Sequence, residues 1–407
     1  MAEPRLVVFT SLFPHAGQPN AGLFIRERMF RVGQRFSAPL VVVSPQPWFP
    51  LQGLIRRLRP GYRPAAPRHE VQQGVEIYFP RFLALPGLLR RLDGLSMALF
   101  SLPTLLRLRK THQVNLIDAH FAYPNGYAAT LLGRWLKLPV TITLRGTESG
   151  HVRTPALSKR VVAALLRANR VFAVSDSLKR LAVGLGIADA KILVVGNGVD
   201  LTRFTPMPRD EARRRLSLPQ DASILISVGG LVERKGFHRV IDGLPELVRR
   251  FPDIIYLVVG GPSPEGDMTA ALKQQVQRLG MADRVVFTGP IAPENLSVAL
   301  SAADVFVLAT RNEGWANVFL EAMACGLPVV TTDVGGNAEV VCRSELGTVV
   351  PFGDASALQM AIARALDCDW DRKAIMAYAA DNTWDRRVDV LVREFEQLLG
   401  NTAGAHT

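Results

Sequence analysis

Cysteine is scarce. Only Cys325, Cys342 and Cys368 occur in 407 residues. They form neither a disulfide framework nor a metal-ligand spacing, so a reduced, cytoplasmic compartment is expected. Long apolar runs are also missing. In the most apolar region, residues 81–110, the longest uncharged stretch is Gly94 to Leu106, 13 residues. A bilayer span needs ~20. The opening "RLVVFTSLFP" is too short for a signal peptide and reads as a strand. Acidic residues are few in the first half. Residues 1–205 hold 10 Asp+Glu against 28 Lys+Arg, and residues 206–407 hold 26 against 20. Such an imbalance favours an anionic partner for the first half: a phospholipid surface, a lipid phosphate or nucleic acid. Zinc spacings, aromatic-interleaved basic stripes and recognition helices are all lacking, so no nucleic-acid partner is expected. No Asp-x-Asp pair ends a strand. The nearest pattern, "DCDWD" at 367–371, lies in a late helical region and reads as a solvated face, so no essential metal is expected.

What is present is a repeated alternation. Short Val/Ile/Leu runs ending in Gly, Ser, Asp or Thr imply parallel strands buried on both faces. Helical patterns separate them, which implies a doubly wound α/β fold. The alternation occurs twice. "VDLTRFTPMPRDEARRR" breaks it with two prolines and a change of charge. The expected organisation is a domain over 1–203, a second over 204–380, a helix over 381–400 packing back on the body, and a disordered tail over 401–407. The stripe Val388, Leu391, Phe395 and Leu398 would carry that packing. Two Rossmann-like domains place ligands at the carboxyl ends of their strands.

The stretch "NEGWANVFLEAMACGLPVVTTD" at 312–333 holds two carboxylates, Glu313 and Glu321. Charges on one helix face are usually only solvated. At about 100° per residue, however, eight steps leave these two ~80° apart, and they lack the i, i+4 spacing of a surface pair. Residues 317–325 read as a helix with Asn317 as a possible cap. Glu313 then lies on the preceding loop and Glu321 about one turn inside. A positive helix N-terminus between them suits an anionic ligand with hydroxyls at both ends.

"RNEGWANVFLEAMACGLPVVTTDVGGNAEVV" resembles the donor-site signature of the retaining GT-B glycosyltransferases of family four. "VGGLVERKGF", "VVGGP", "VFTGPI", "VGNGVDLTRF", "DAHFAYPNGYAA" and "TLRGTE" fall in that family's order. "SLFPHAGQPNAGLFIRERM" resembles a bacterial branch that builds surface polysaccharides. The resemblance implies that Glu321 binds a ribose diol and that Glu313 sits beside the transferred sugar. It implies that the amides of Trp315, Ala316, Asn317, Val318 and Phe319 face sugar and diphosphate. Lys235, following a strand and opening a helix, would clamp the diphosphate. Gly230 occupies a slot where the family carries arginine, and Arg234 is the candidate substitute. His120 would hydrogen-bond the sugar. Gly22, with Gly17 as the competing choice, would let backbone approach the reaction centre. Arg26 would hold an acceptor phosphate, Arg145 and Glu148 would flank the acceptor side, and Gly289 and Ile291 would lie near the base.

The expected activity is retaining, metal-independent transfer of a sugar from a nucleotide diphosphate donor, UDP- or GDP-linked, to a lipid-linked glycan acceptor. No cofactor is expected beyond that co-substrate. Two alternatives stand: a nucleotide-sugar epimerase of the same fold, and a catalytically silent membrane-associated binding protein. Leucines and arginines in 51–63 and 81–110 fit either an interfacial membrane face or a buried helix pair with solvated arginines. The expected location is the cytoplasmic face of an anionic membrane.

Overall fold

The structure, a computed structural model, describes residues 3–50, 52–58, 64–85, 89–263 and 265–404. The chain divides into two units, Met1–Asn197 together with Asp385–Thr407, and Gly198–Trp384. The division falls earlier than 203/204 because Val199 is already buried in the second unit's core.

In the first unit an eight-stranded sheet runs in the order Ile192–Val194, Arg170–Ala173, Val140–Leu144, Leu116–His120, Leu6–Phe9, Val41–Val43, Val75–Tyr78, His69–Gln72. All pairings are parallel except the last, a hairpin whose edge strand is antiparallel. A separate two-stranded parallel ribbon joins Gln46–Trp48 to Arg81–Leu83. The strand order reverses between Leu6–Phe9 and Leu116–His120. The final helix, Trp384–Gly404, reaches further than 400, and it supplies Val388, Leu391 and Phe395 to this unit's core. The fourth contact is Leu399, 6% exposed, rather than Leu398. Steps of three, four and four keep one face inward. The tail beyond Gly404 lies outside the described residues.

The second unit has six parallel strands in the order Val285–Gly289, Ile255–Val259, Ile224–Val228, Val305–Leu308, Val329–Thr332, Gly347–Val350. Side chains alternate between two cores. Ile224 and Ile226 enter one and Leu225 the other; Phe306 and Leu308 enter one, Val305 and Val307 the other. Burial of both faces explains the continuous apolar runs, and each fully buried Ile, Leu or Phe stabilises by ~1.5–3 kcal/mol. Here the order reverses between Ile224–Val228 and Val305–Leu308, the topological switch where open α/β sheets take ligands.

Residues 367–371 are not a helical face. Asp367 ends the helix Ala355–Asp367, and Asp371 caps the next, Arg372–Asp381, accepting from Ala374 N at 3.0 Å. Residues 81–110 contain a single long helix, Asp93–Thr111, instead of a helix pair. Met97, Ala98, Leu105 and Leu108 are buried on one side of it, while Leu95, Leu99, Phe100 and Leu106 are exposed. Of the leucine–arginine segment 51–63, only Gln52–Leu58, a helix, is described. No helix among the described residues is long and apolar enough to cross a membrane.

Candidate functional site

Two loops meet at the switch point of the second sheet. After Ile224–Val228 the chain passes Gly229 and Gly230 into a short turn, Glu233–Lys235, and enters the helix Phe237–Arg250 through Gly236. Gly236 is left-handed (φ +77°), and a Cβ there would overlap the carbonyl of Ala309. Only glycine lets this loop lie against the end of the neighbouring strand. A Cβ on Gly230 would come within 3.0 Å of Ser263 Cβ, so the slot is crowded against a side chain.

The second loop follows Val305–Leu308 and carries Glu313. Its side chain is 9% exposed. Lys235 Nζ donates to Oε1 at 2.6 Å and Arg234 Nη1 to the same oxygen at 3.0 Å. Thr310 Oγ1 lies 3.3 Å from it. Arg234 therefore does reach the site. Its other edge makes a two-bond fork with Glu265, at 2.6 and 2.8 Å, which raises the guanidinium's pKa and lowers that of Glu265. The loops are also joined by Arg311 N to Arg234 O at 2.7 Å. Behind Glu313 stands Gly335 (φ +56°), where a Cβ would overlap the Glu313 carbonyl.

The helix after this loop runs Asn317–Ala324. Asn317 is its first residue, not its cap. Ala316 occupies the cap position and supplies no side-chain acceptor. The first turn thus presents donors that an anion could take. Phe319 N is itself bonded to Ala316 O at 3.1 Å. Trp315 packs on the core, and its indole N–H is buried without an acceptor. Glu321 is half-buried one turn inside the helix, where its charge helps raise the thiol of Cys325, pushed up to about 12 chiefly by burial. Gly289 ends the strand Val285–Gly289 in a left-handed conformation, and Ile291 packs on the core just beyond. Lys235, Arg234, Glu313, Trp315 and the helix start are thus brought together at the carboxyl ends of the two central strands of this sheet. Among the described residues no three His, Cys, Asp or Glu converge to hold a metal.

In the first unit the expected sugar-facing His120 is fully buried. Its Nδ1 accepts from Arg145 Nε at 3.2 Å, which places the proton on Nε2, 3.4 Å from Asp118 Oδ2. Burial, then the charges of Arg145 and Arg28, hold its pKa well below the ordinary value, so the ring is neutral. Asp118 accepts from Thr141 Oγ1 at 2.6 Å, and burial pushes its carboxyl up to about 6. Arg145 also donates to Asn197 Oδ1 at 3.0 Å. Glu148 spends both oxygens on backbone: Oε1 on Ala122 N at 2.9 Å, Oε2 on Gly146 N at 2.8 Å and Arg145 N at 3.1 Å. Arg145 and Glu148 are therefore interior supports for the loops at the strand ends rather than open acceptor contacts.

Gly22 is left-handed (φ +73°) and starts the helix Leu23–Gly33; a Cβ would crowd the Leu12 carbonyl, whereas Gly17 has an ordinary φ. Arg26, one turn into that helix, is 24% exposed and pairs with Glu27 at 3.4 Å. Arg28, fully buried and donating to Val195 O at 3.2 Å, was not singled out from the sequence. It sits on the stripe Ile25, Arg28, Met29, Val32, and a charge on a core stripe is the signal that marks it. Asp118 likewise shares a strand face with His120, two residues on.

Residues 58–203 match the family Glycosyltransferase Family 4, and residues 208–382 match Glycosyl transferases group 1. The chain is 31% identical over 305 residues to a D-inositol 3-phosphate glycosyltransferase of Corynebacterium urealyticum (strain ATCC 43042 / DSM 7109), covering 70% of this chain and 72% of that protein. It is 29% identical over 368 residues to TuaC of Bacillus subtilis (strain 168), named as a teichuronic acid biosynthesis glycosyltransferase, covering 88% of each. Among solved structures HepE of Anabaena, in complex with UDP, superposes with a TM-score of 0.70 at 21% identity, over 98% of this chain and 100% of that one. With the two switch-point loops and their glycines in place, the chain belongs to the family 4 glycosyltransferases of GT-B fold.

Proposed function

We propose that the protein transfers a sugar, with retention, from a nucleoside diphosphate donor to a lipid-linked glycan acceptor in cell-surface polysaccharide synthesis. The observation that carries the reading is the single oxygen of Glu313 held by two cations at the uncapped start of a helix. In the proposed cycle the donor's diphosphate takes Lys235 and the helix-start amides, and Arg234 remains tethered by Glu265. Glu313 is then released to accept hydroxyls of the sugar, and Glu321 accepts those of the ribose. The acceptor hydroxyl enters on the face the phosphate leaves. Its proton passes to the departing phosphate oxygen, so no enzyme nucleophile is required. Stabilising the charge that grows on the leaving group is the main catalytic term. HepE was solved with UDP and with UDP-glucose, which supports a UDP-linked donor among the candidates.

Transfer is tested by incubating the purified chain with a panel of nucleotide sugars and lipid-linked acceptors. Nucleoside diphosphate release and the anomeric proton of the product are read together. Acceptor-dependent release with an unchanged anomer supports the reading. Conversion of donor alone into an epimeric nucleotide sugar would replace it. The arginines and exposed leucines of the first unit further support peripheral binding to an anionic leaflet, worth ~1 kcal/mol per basic residue near the surface. Flotation with anionic liposomes should be lost at high salt, and equal binding to neutral lipid would sink that part.

A further inference from the structure

A second recess lies in the first unit, apart from His120 and Arg145. Register alone sets one wall. Gln46 pairs with Arg81 and Trp48 with Leu83, so Gln46, Trp48 and Arg81 share a face of the two-stranded ribbon, while Phe82 is buried on the other. The helix Gln52–Leu58 sets the second wall, since Gln52 and Arg56 stand four residues apart on one side. These side chains line a pocket of about 170 Å³. Ser11 and Gln18 close it from the loop that follows Leu6–Phe9. That loop begins at the switch point of the first sheet.

The chemistry of the lining is selective. It contains two guanidinium groups, three amides and an indole beside proline, alanine and phenylalanine side chains, and no Asp or Glu among the described residues. Arg81 makes no ion pair among the described residues. Gln46 is fixed by donating from Nε2 to Ser44 O at 3.2 Å and Ser44 Oγ at 3.1 Å, and Gln52 Oε1 accepts Phe49 N at 3.2 Å. Trp48 remains 40% exposed. An open indole offers a flat apolar face, amides match ring hydroxyls, and arginine forks bind phosphate or carboxylate in two-bond geometry. The volume lies below the roughly 300–1,000 Å³ of sites for drug-sized ligands, so the occupant is one ring or less.

We infer that this pocket is an acceptor subsite for a sugar ring carrying a phosphate or carboxylate, held between Trp48 and the guanidinium groups of Arg56 and Arg81. The inference rests on the transferase reading for the word acceptor, but not for the binding chemistry.

The test uses the full chain labelled with ¹⁵N. Only five tryptophans contribute indole signals, and Trp48→Phe assigns the relevant one. Glucose 1-phosphate, glucuronate, glucose and inorganic phosphate are titrated separately. At least one anionic sugar should move the Trp48 signal saturably, with glucose and inorganic phosphate about tenfold weaker or more. The better of the two anionic sugars tells phosphate from carboxylate. Arg81→Gln and Arg56→Gln should each weaken it about tenfold, as for a charged hydrogen bond, with the other four indole signals unmoved as a check on folding. No response to either anionic sugar, equal binding of inorganic phosphate, or unchanged affinity in both arginine variants overturns the subsite. If the pocket binds as stated but no donor ever releases nucleoside diphosphate, the transferase reading fails and the subsite stands. If transfer to an anionic acceptor runs at full rate in both arginine variants, the transferase reading stands and the subsite fails.

Discussion

Lys235 Nζ stands 2.6 Å from Oε1 of Glu313, closer than Arg234 Nη1 at 3.0 Å. The two residues come from loops after different strands, on either side of the point where the strand order reverses. A carboxylate and an ammonium so placed can exchange partners when a diphosphate arrives, without either loop moving far.

Lys235→Ala is expected to lower turnover by roughly 100-fold or more, the scale of removing one transition-state charge stabiliser. Lys235→Arg should not restore full activity, because a planar fork does not replace a point charge on a flexible stem. Initial rates of nucleoside diphosphate release decide this. Near-normal rates in Lys235→Ala would assign the clamp to Arg234.

The two glutamates should separate in steady-state kinetics. Glu321→Ala mainly raises the donor KM through a lost ribose contact, whereas Glu313→Ala mainly lowers kcat, since its contact lies beside the changing bonds. Equal effects confined to donor affinity would contradict that division.

Gly335→Ala should damage catalysis from behind the site. The new Cβ would meet the Glu313 carbonyl, and the left-handed φ adds strain. A stability loss above ~1 kcal/mol is expected, with a fall in kcat of up to ~100-fold from misplacing Glu313. Gly353→Ala is the control. It has φ +90° but nothing within 4 Å of its Cβ, so it should lose stability and keep its turnover. Matching kcat values in the two variants would refute the link to Glu313.

The buried Asp118 gives a pH signature. Its carboxyl is raised from an ordinary 3.8 to about 6, so between these values the folded chain holds a proton that the unfolded chain has released. Stability must then fall as pH rises through that window. Relative to Asp118→Asn, the wild type should lose up to about 3 kcal/mol between pH 4 and 6.5. Neutral His120, depressed in pKa, acts oppositely in both proteins and largely cancels from the difference. Thermal unfolding at three pH values checks it, and a wild-type stability relative to Asp118→Asn that stays flat or rises with pH would show that Asp118 is ionised throughout.

Much of this architecture was legible because parallel strands buried on two faces leave unbroken Val/Ile/Leu runs, and glycine marks where the chain must turn left-handed. Glu313 and Lys235 were legible through their motifs. What escaped reading were contacts between distant segments. The Glu265 fork that holds Arg234 spans 31 residues, and the shield of Arg145 over His120 spans 25. Nothing in "DAHF" says that the ring will be enclosed, because its cover comes from the next strand's loop. The antiparallel edge strand His69–Gln72 leaves no such mark for a related reason: half-exposed and polar, it lacks the apolar run of its neighbours.

The return of the last helix to the first unit has a consequence for synthesis. Where the second unit begins and ends, its two ends are stitched together: Val199 N donates to Asn382 O at 3.1 Å, and Trp384 N to Val199 O at 3.3 Å. The second unit is thus a closed insertion that can complete itself once about residue 384 has emerged from the ribosome. The first unit, translated earlier, must wait for Val388, Leu391 and Phe395. The half of the protein made first is finished last, and a chain cut short before Val388 leaves the core of its N-terminal half without the side chains of Val388, Leu391 and Phe395.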